Sequence, residues 1–436
     1  MSVYKKNLAV IAQRWPEIAH GIASVDISQA QIELVKDNQL TMVYEHIQVA
    51  SSFDQVAEAK VQIQQVPIGS AQIFLYGTGL GSVQTQLLIG KELDHLNVVI
   101  MNMSLFKAAL THFLQLDWLT DQKVKLLKVE QVTKVFSPFI ALPAELVLAD
   151  NNSARLRDQL CLALDDPFIE LKKGQGNQAL RQIIADNLHY IQQDKDVGCL
   201  FKASDKRKFI VCGAGPTLES HFPWLADLAN RQDFFLVAVD AAVAPLATIG
   251  VIPDLVVSID PVAKKLFNQL QLKEYIDTAL VYFPVLEHSF LASWCGQRYI
   301  AYSTGDLYND INEKVPRGRL YSGGSVIHPA IDLSVKMGAK AVFLLGCDFS
   351  FPEGKTHTFW QEDTSSKAIH LSAQNTAHWV LNSKNERVPT LLNFRGYLRD
   401  LEQYIALTSQ VDFFNGSDKG ALITGTRLWG IEDGFD

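Results

Sequence analysis

Five residues with the chemistry for proton transfer and phosphate binding stand where apolar runs of this 436-residue sequence give way to turns: Asp240, Asp260, Asp348, Lys355 and His357. A carboxylate in such a place can bind a ribose hydroxyl, hold a divalent cation such as Mg²⁺, or act as a base. A histidine neutral near physiological pH can take a proton from an acceptor hydroxyl, and a lysine can neutralise a leaving phosphate. Two glycine pairs accompany them. Gly213-Ala-Gly-Pro216, followed by Thr217, breaks the apolar run 209–212 and puts a proline where a helix would take its first residue. Gly323-Gly324 with Ser325 opens a second helical pattern that runs to about Met337. Helix starts behind glycine turns suit phosphate, so Gly213, Ala214, Gly215, Pro216, Thr217, Gly323, Gly324 and Ser325 are read as a nucleotide site. Each acid also has a structural reading. Asp240 can cap the helix after it, Asp260 can shape the turn before Pro261, and Asp348 can satisfy loop amides. His328 can serve in packing and His357 can be an exposed loop histidine; His370 and His378 are further candidates.

The elements that must position these residues alternate in type. Apolar runs at 209–212, 234–239, 255–259, 279–283, 298–302 and 341–346 read as buried strands, and helical periodicity separates several of them. Such alternation implies an α/β fold with a parallel sheet covered on both faces, and ligands then sit beyond the carboxyl ends of the strands. A smaller unit precedes it. A strand at 71–76 leads into Gly77-Thr-Gly-Leu-Gly81, a helix over 82–90, a strand at 96–101 and a helix over 104–116, the outline of a Rossmann-like βαβ unit. The place after its second strand holds Met101-Asn-Met103, without the acid that grips a ribose in cofactor-binding members of this fold, so a structural domain with no cofactor is expected. The organisation expected is an entry region over 1–58, the Rossmann-like domain with linking helices over 59–200, and the central domain with a C-terminal helix and tail over 201–436.

Composition narrows the function classes. Hydrophobic residues make up 48% and charged residues 20%, as in a globular protein with a well-filled core. A net charge of −8 argues against a nucleic-acid grip spread over the surface. The five cysteines include no C-x-x-C pair, which fits reduced thiols and no zinc framework. The N-terminus lacks the apolar stretch of a secretory signal, and the most apolar window, 234–259, is interrupted by Asp240, Asp254 and two prolines. No membrane span and a cytoplasmic location are expected. Gly354-Lys-Thr356 matches only the tail of a P-loop, whose first glycine would fall at Phe349.

With these residues in view, the sequence resembles the motility-associated factor (Maf) glycosyltransferases, which share a central domain with archaeal 6-hydroxymethylpterin diphosphokinase-like proteins. The stretches that carry the likeness are Val211-Cys-Gly-Ala-Gly-Pro-Thr-Leu-Glu219, Ala238-Val-Asp-Ala-Ala242, Gly250-Val-Ile-Pro-Asp254 with Val257-Ser-Ile-Asp-Pro261, and Gly323-Gly-Ser-Val-Ile-His328. Gly346-Cys-Asp348 with Gly354-Lys-Thr-His357, then Asn415-Gly-Ser417 and Gly420-Ala-Leu-Ile-Thr-Gly425, continue it over about 205–427. The resemblance implies a central domain similar to bacterial sialyltransferases. It also implies transfer of a nonulosonic acid, such as pseudaminic or legionaminic acid, from its CMP-activated form to Ser or Thr of flagellin. By position, Gly213, Gly215, Pro216 and Thr217 would hold the cytidylate. Asp240, Asp260, Gly324 and Ser325 would line the donor pocket, while Asp348 and His357 would lie nearest the acceptor. Many members of that family continue into a C-terminal helical domain, whereas this sequence ends soon after Gly425-Thr-Arg427. Two other readings stand beside this one. The first is an ATP- and Mg²⁺-dependent pyrophosphoryl transferase acting on a hydroxymethylpterin. The second is a non-enzymatic nucleotide-sugar-binding factor in flagellar assembly.

Overall fold

A computed structural model describes residues 1–227, 232–261, 263–268, 270–355, 357–358 and 378–430, with the backbone alone for 166–178. It divides into two compact units, Met1–Asp165 and Asp166–Asp436. The division lies upstream of the 200/201 boundary expected from the charged run before the apolar strand at 209–212. The short strand at Lys195–Asp196 pairs into the sheet of the second unit.

In the first unit, strands β1 (Ile32–Lys36), β2 (Leu40–Tyr44) and β3 (Ile47–Gln48) form a small antiparallel sheet. Strands β4 (Gln72–Tyr76), β5 (His95–Ile100), β6 (Val124–Lys128) and β7 (Phe139–Ala141) form a parallel sheet in the order β6-β5-β4-β7. Leu75, Leu96, Val98 and Ile140 in its middle are fully buried. Helices Ser82–Leu88 and Met103–His112 follow β4 and β5, as the alternation of patterns requires, and Asn102 caps the second by accepting from Leu105 N at 3.0 Å.

The second unit is built on nine parallel strands. They are β8 (Lys195–Asp196), β9 (Lys208–Cys212), β10 (Phe234–Val239), β11 (Leu255–Ser258), β12 (Ala279–Tyr282), β13 (Arg298–Ile300), β16 (Ala341–Leu345), β19 (Asp412–Asn415) and β20 (Arg427–Leu428), with pairs β14 (Tyr302–Ser303)–β15 (Arg319–Leu320) and β17 (Trp379–Leu381)–β18 (Arg387–Pro389) outside the sheet. The order β20-β19-β16-β9-β10-β11-β12-β13-β8 shows why the central strands read as unbroken apolar runs. Val211, Val237, Val256, Val281 and Leu344 sit at 0% exposure because both faces are covered. From β9 the chain builds outward in one direction through β10 to β13. It returns to lay β16, β19 and β20 on the other side, so the direction of winding reverses between β9 and β16.

At that reversal the two strand ends interlock. Gly213 N donates to Leu345 O and Gly215 N to Gly346 O, each at 2.8 Å. A Cβ on Gly213 would lie 2.5 Å from Gly346 O, and one on Gly346, whose φ is +65°, would lie 2.6 Å from Gly213 O. The absent side chains thus allow one backbone to lie against another, which neither can vacate. Gly213→Ala is expected to destabilise the second unit by about 1–3 kcal/mol through overpacking, read as a fall in its urea unfolding midpoint.

Candidate functional site

The sequence reading placed a helix behind Gly213-Ala-Gly-Pro216, with free amides aimed at a phosphate. The segment is instead a 3-10 turn, Pro216–His221, followed by a five-residue helix, Phe222–Ala226. Its amides are largely engaged. Gly213 N and Gly215 N are held by β16, Leu218 N donates to Gly215 O at 3.1 Å, and Thr217 N donates to Asp348 Oδ2 at 3.0 Å. Thr217 Oγ1 also donates to Asp348 Oδ1. Among the described residues the amide of Ala214, at the lip of the turn, is left without a partner; Ala214 O accepts from Thr358 N at 2.9 Å.

Asp348, just beyond β16, is buried, and burial raises its pKa to about 6 against the pull of the Thr217 hydrogen bonds. It fits into a space that lacks side chains. A Cβ on Gly215 would collide with its carboxylate, and one on Gly420 would come within 2.6 Å of Oδ1. Ala421 N closes the same knot by donating to Asp348 O at 2.8 Å. In this geometry the carboxylate accepts from one loop amide and one hydroxyl, both of Thr217.

A cleft of about 170 Å³ opens at the reversal between β9 and β16. Ala214, Gly215, Ser325, Asp348 and His357 line it, with Phe394 and Tyr397 forming an aromatic wall. His357 is solvent-exposed, and desolvation from the chain around it holds its pKa below the ordinary histidine value. Ser325 is fixed through the backbone, its N–H 3.3 Å from His328 Nδ1. His328 is itself buried with Nε2 2.9 Å from Tyr397 O; desolvation lowers its pKa against the opposing pull of the Tyr397 and Ser325 carbonyls. Gly323 and Gly324 make this turn possible. A Cβ on Gly323 would lie 2.8 Å from Asp400 Cβ, and one on Gly324 (φ +89°) would lie 2.6 Å from Tyr397 Cε1. The helix they introduce, Ile327–Met337, ends at Gly338 in the left-handed conformation.

The remaining candidates are spread out. Asp240 lies at 4% exposure, accepting from Ala241 N at 2.8 Å and Ser258 Oγ at 2.7 Å. Burial lifts its pKa to about 6, with the charge of Asp260 a minor contributor. Asp260 is exposed after β11 and does not line the cleft. Lys355 is exposed, its Nζ 3.5 Å from Glu219 Oε2, and lines a second cleft of about 310 Å³ with Pro216, Thr217, Ser417 and Lys419. His378 sits with Nδ1 3.3 Å from Arg395 Nη1, and His370 lies outside the described residues. Sequence reasoning missed Phe394 and Tyr397 as site residues. Their spacing of three on a helical pattern is the available signal.

The two raised carboxylates make stability depend on pH. A carboxylate whose pKa is higher folded than unfolded favours the native state most at low pH. That advantage is lost as pH rises from about 4 to about 6 and is flat beyond. Asp240→Asn removes one contribution, on the order of 3 kcal/mol. The variant is expected to be at least as stable as the wild type at pH 7, with the difference shrinking toward pH 4. Urea midpoints measured across that range check it.

Residues 182–354 match the family described as MptE-like, 6-hydroxymethylpterin diphosphokinase MptE-like. A comparison with curated proteins finds no match. Among solved structures the chain is similar to a MAf glycosyltransferase from Magnetospirillum magneticum AMB-1, at 12% identity and TM-score 0.46, over 98% of this chain and 74% of that one. It is also similar to a spermidine synthase from Thermotoga maritima, at 11% identity and TM-score 0.22, over 28% of this chain and 48% of that one. Residues 182–354, which carry every strand of the nine-stranded sheet except β19 and β20 together with both glycine turns, are thus similar to the MptE-like family in which the sequence resemblance had placed the central domain.

Proposed function

We propose that this protein is a glycosyltransferase that moves a nonulosonic acid from its CMP-activated form to a serine or threonine hydroxyl of a protein, with flagellin the acceptor implied by the sequence resemblance. The observation that carries the reading is the convergence of Ala214, Gly215, Ser325, Asp348 and His357, from separate segments of the chain, on one cleft where the winding of the sheet reverses. Open parallel sheets bind nucleotides at that place. The Ala214 amide and Ser325 hydroxyl offer donors to the donor phosphate, and the rings of Phe394 and Tyr397 offer a face to the base or sugar. His357, neutral at physiological pH, takes the proton of the acceptor hydroxyl as its oxygen bonds to the anomeric carbon. The bond from that carbon to the phosphate oxygen breaks, and its electron pair leaves with CMP. Lys355 supplies positive charge from the far side of the Pro216–Thr217 turn. On this reading Asp348 and Thr217 hold the cleft's shape, and the protein works in the cytoplasm. Among the described residues no helix is long and apolar enough to cross a membrane.

The second reading, pyrophosphoryl transfer from ATP to a hydroxymethylpterin, follows the description of the matched family. It asks for a set of metal-binding carboxylates. Asp240 and Asp348 are turned to protein donors and Asp260 stands apart from the cleft, and among the described residues no group of three or more His, Cys, Asp or Glu is arranged to hold a metal. The residues described do not fit Mg²⁺, and no step is derived through it.

Ligand-induced stabilisation separates the readings. CMP is expected to raise the melting temperature, and ATP with Mg²⁺ to leave it unchanged; the reverse result would replace the first reading with the second. With a CMP-nonulosonate and flagellin, His357→Ala is expected to lower the rate of mass gain by about 10²-fold or more while CMP still stabilises the protein. Retained transfer in that variant would remove His357 as the base.

A further inference from the structure

The first unit has its own reversal of winding, between β4 and β7, and a glycine turn stands there as well. In folds of this kind the place takes the anionic part of a ligand. Here the first two amides after Gly77 are taken up from within the chain, beside a cleft of about 130 Å³ lined by Gly79–Ser82 and Leu142–Ala144. Glu145 projects from the short helix Pro143–Val147 that follows β7, and it is 1% exposed. Its Oε1 accepts from Thr78 N and Gly79 N, both at 2.7 Å, and from Thr78 Oγ1 at 3.1 Å. Two successive amides and a hydroxyl on one oxygen form the kind of concavity in which backbone binds an anion.

The surrounding residues are fitted to this occupant. A Cβ on Gly77 (φ +110°) would lie 2.8 Å from Glu145 Cγ and 3.0 Å from its Cδ, so the first glycine of the turn makes room for the glutamate stem. Gln84 Nε2 donates to Thr78 O at 2.6 Å and fixes the turn from the other side. The second carboxylate oxygen, Oε2, is buried without a partner among the described residues. A group chosen only to tie the turn to the helix would not need that oxygen, whose burial is costly. Desolvation raises the Glu145 pKa, and the hydrogen bonds from Gly79 and Thr78 pull the other way, toward the carboxylate.

We propose that the glycine turn of the first unit is an anion-binding nest occupied in cis by the Glu145 carboxylate, which closes it to a phosphate- or carboxylate-bearing ligand. Two measurements on the full chain test this. Glu145→Ala empties the nest and is expected to lower the melting temperature of the first unit. Sodium formate should then raise that temperature by about 2 °C or more above the effect of sodium chloride at equal ionic strength, with no such difference in the wild type. Equal effects of formate and chloride in the variant would overturn the proposal, because the turn would then need only the bulk of a side chain. The other measurement does not depend on the variant folding. Hydrogen exchange at Thr78 and Gly79 of the wild type should be unchanged by millimolar inorganic phosphate or AMP, and slowing by either would show an open nest and refute the closure.

Discussion

A carboxylate buried beside two backbone turns has to be surrounded by donors, and Asp348 finds them on the turn leaving the neighbouring strand. Its bonds to the amide and hydroxyl of Thr217 tie the end of β16 to the end of β9, the two strands between which the sheet reverses direction. Gly213, Gly215, Gly346 and Gly420 leave no room for side chains around this knot. The cleft takes its position from this arrangement. Ala214 sits at the lip because Gly213 and Gly215 are pinned on either side of it to β16, and His357 follows Asp348 by a short loop.

This changes the meaning of the glycine-rich motif. From the sequence, glycines before a proline suggest a backbone that approaches a ligand. In the fold, those glycines approach another backbone, and most of the amides they free are taken up by Leu345, Gly346 and Asp348. The first unit repeats the device in its own terms, with a threonine amide and hydroxyl again donating to a buried acid, Glu145 in place of Asp348. In both units an acid from beyond a later strand secures the turn after the first. They differ in detail: Asp348 accepts one amide and a hydroxyl of its turn, whereas Glu145 gathers two successive amides and a hydroxyl on a single oxygen.

Much of this architecture was legible in the residues. Strands at 234–239 and 341–345 are apolar runs because both sheet faces are covered, and a run with polar residues at its ends has few other ways to fold. The helix to Met337 and its stop at Gly338 follow from periodicity and a left-handed glycine. Two-residue strands such as β8 were not legible, since Lys195 and Asp196 carry no apolar signal and pair only because β13 lies alongside. The 3-10 turn at Pro216 was missed because its course is set by the Asp348–Thr217 bonds, made across 131 residues of sequence. Glu145 escaped notice for the same reason. An acid one position after Pro143-Ala144 reads as an ordinary residue of a helix's first turn, and only the pairing of β4 with β7 brings it to the glycines.

The two outermost strands of the large sheet, β8 and β20, are two residues long. A wide parallel sheet ending in full-length strands would present a row of unpaired amides and carbonyls at each side, on which a second chain could extend the ladder. Ending each flank after two residues leaves too little template for such growth. The sheet can thus be nine strands wide without inviting fibrous association.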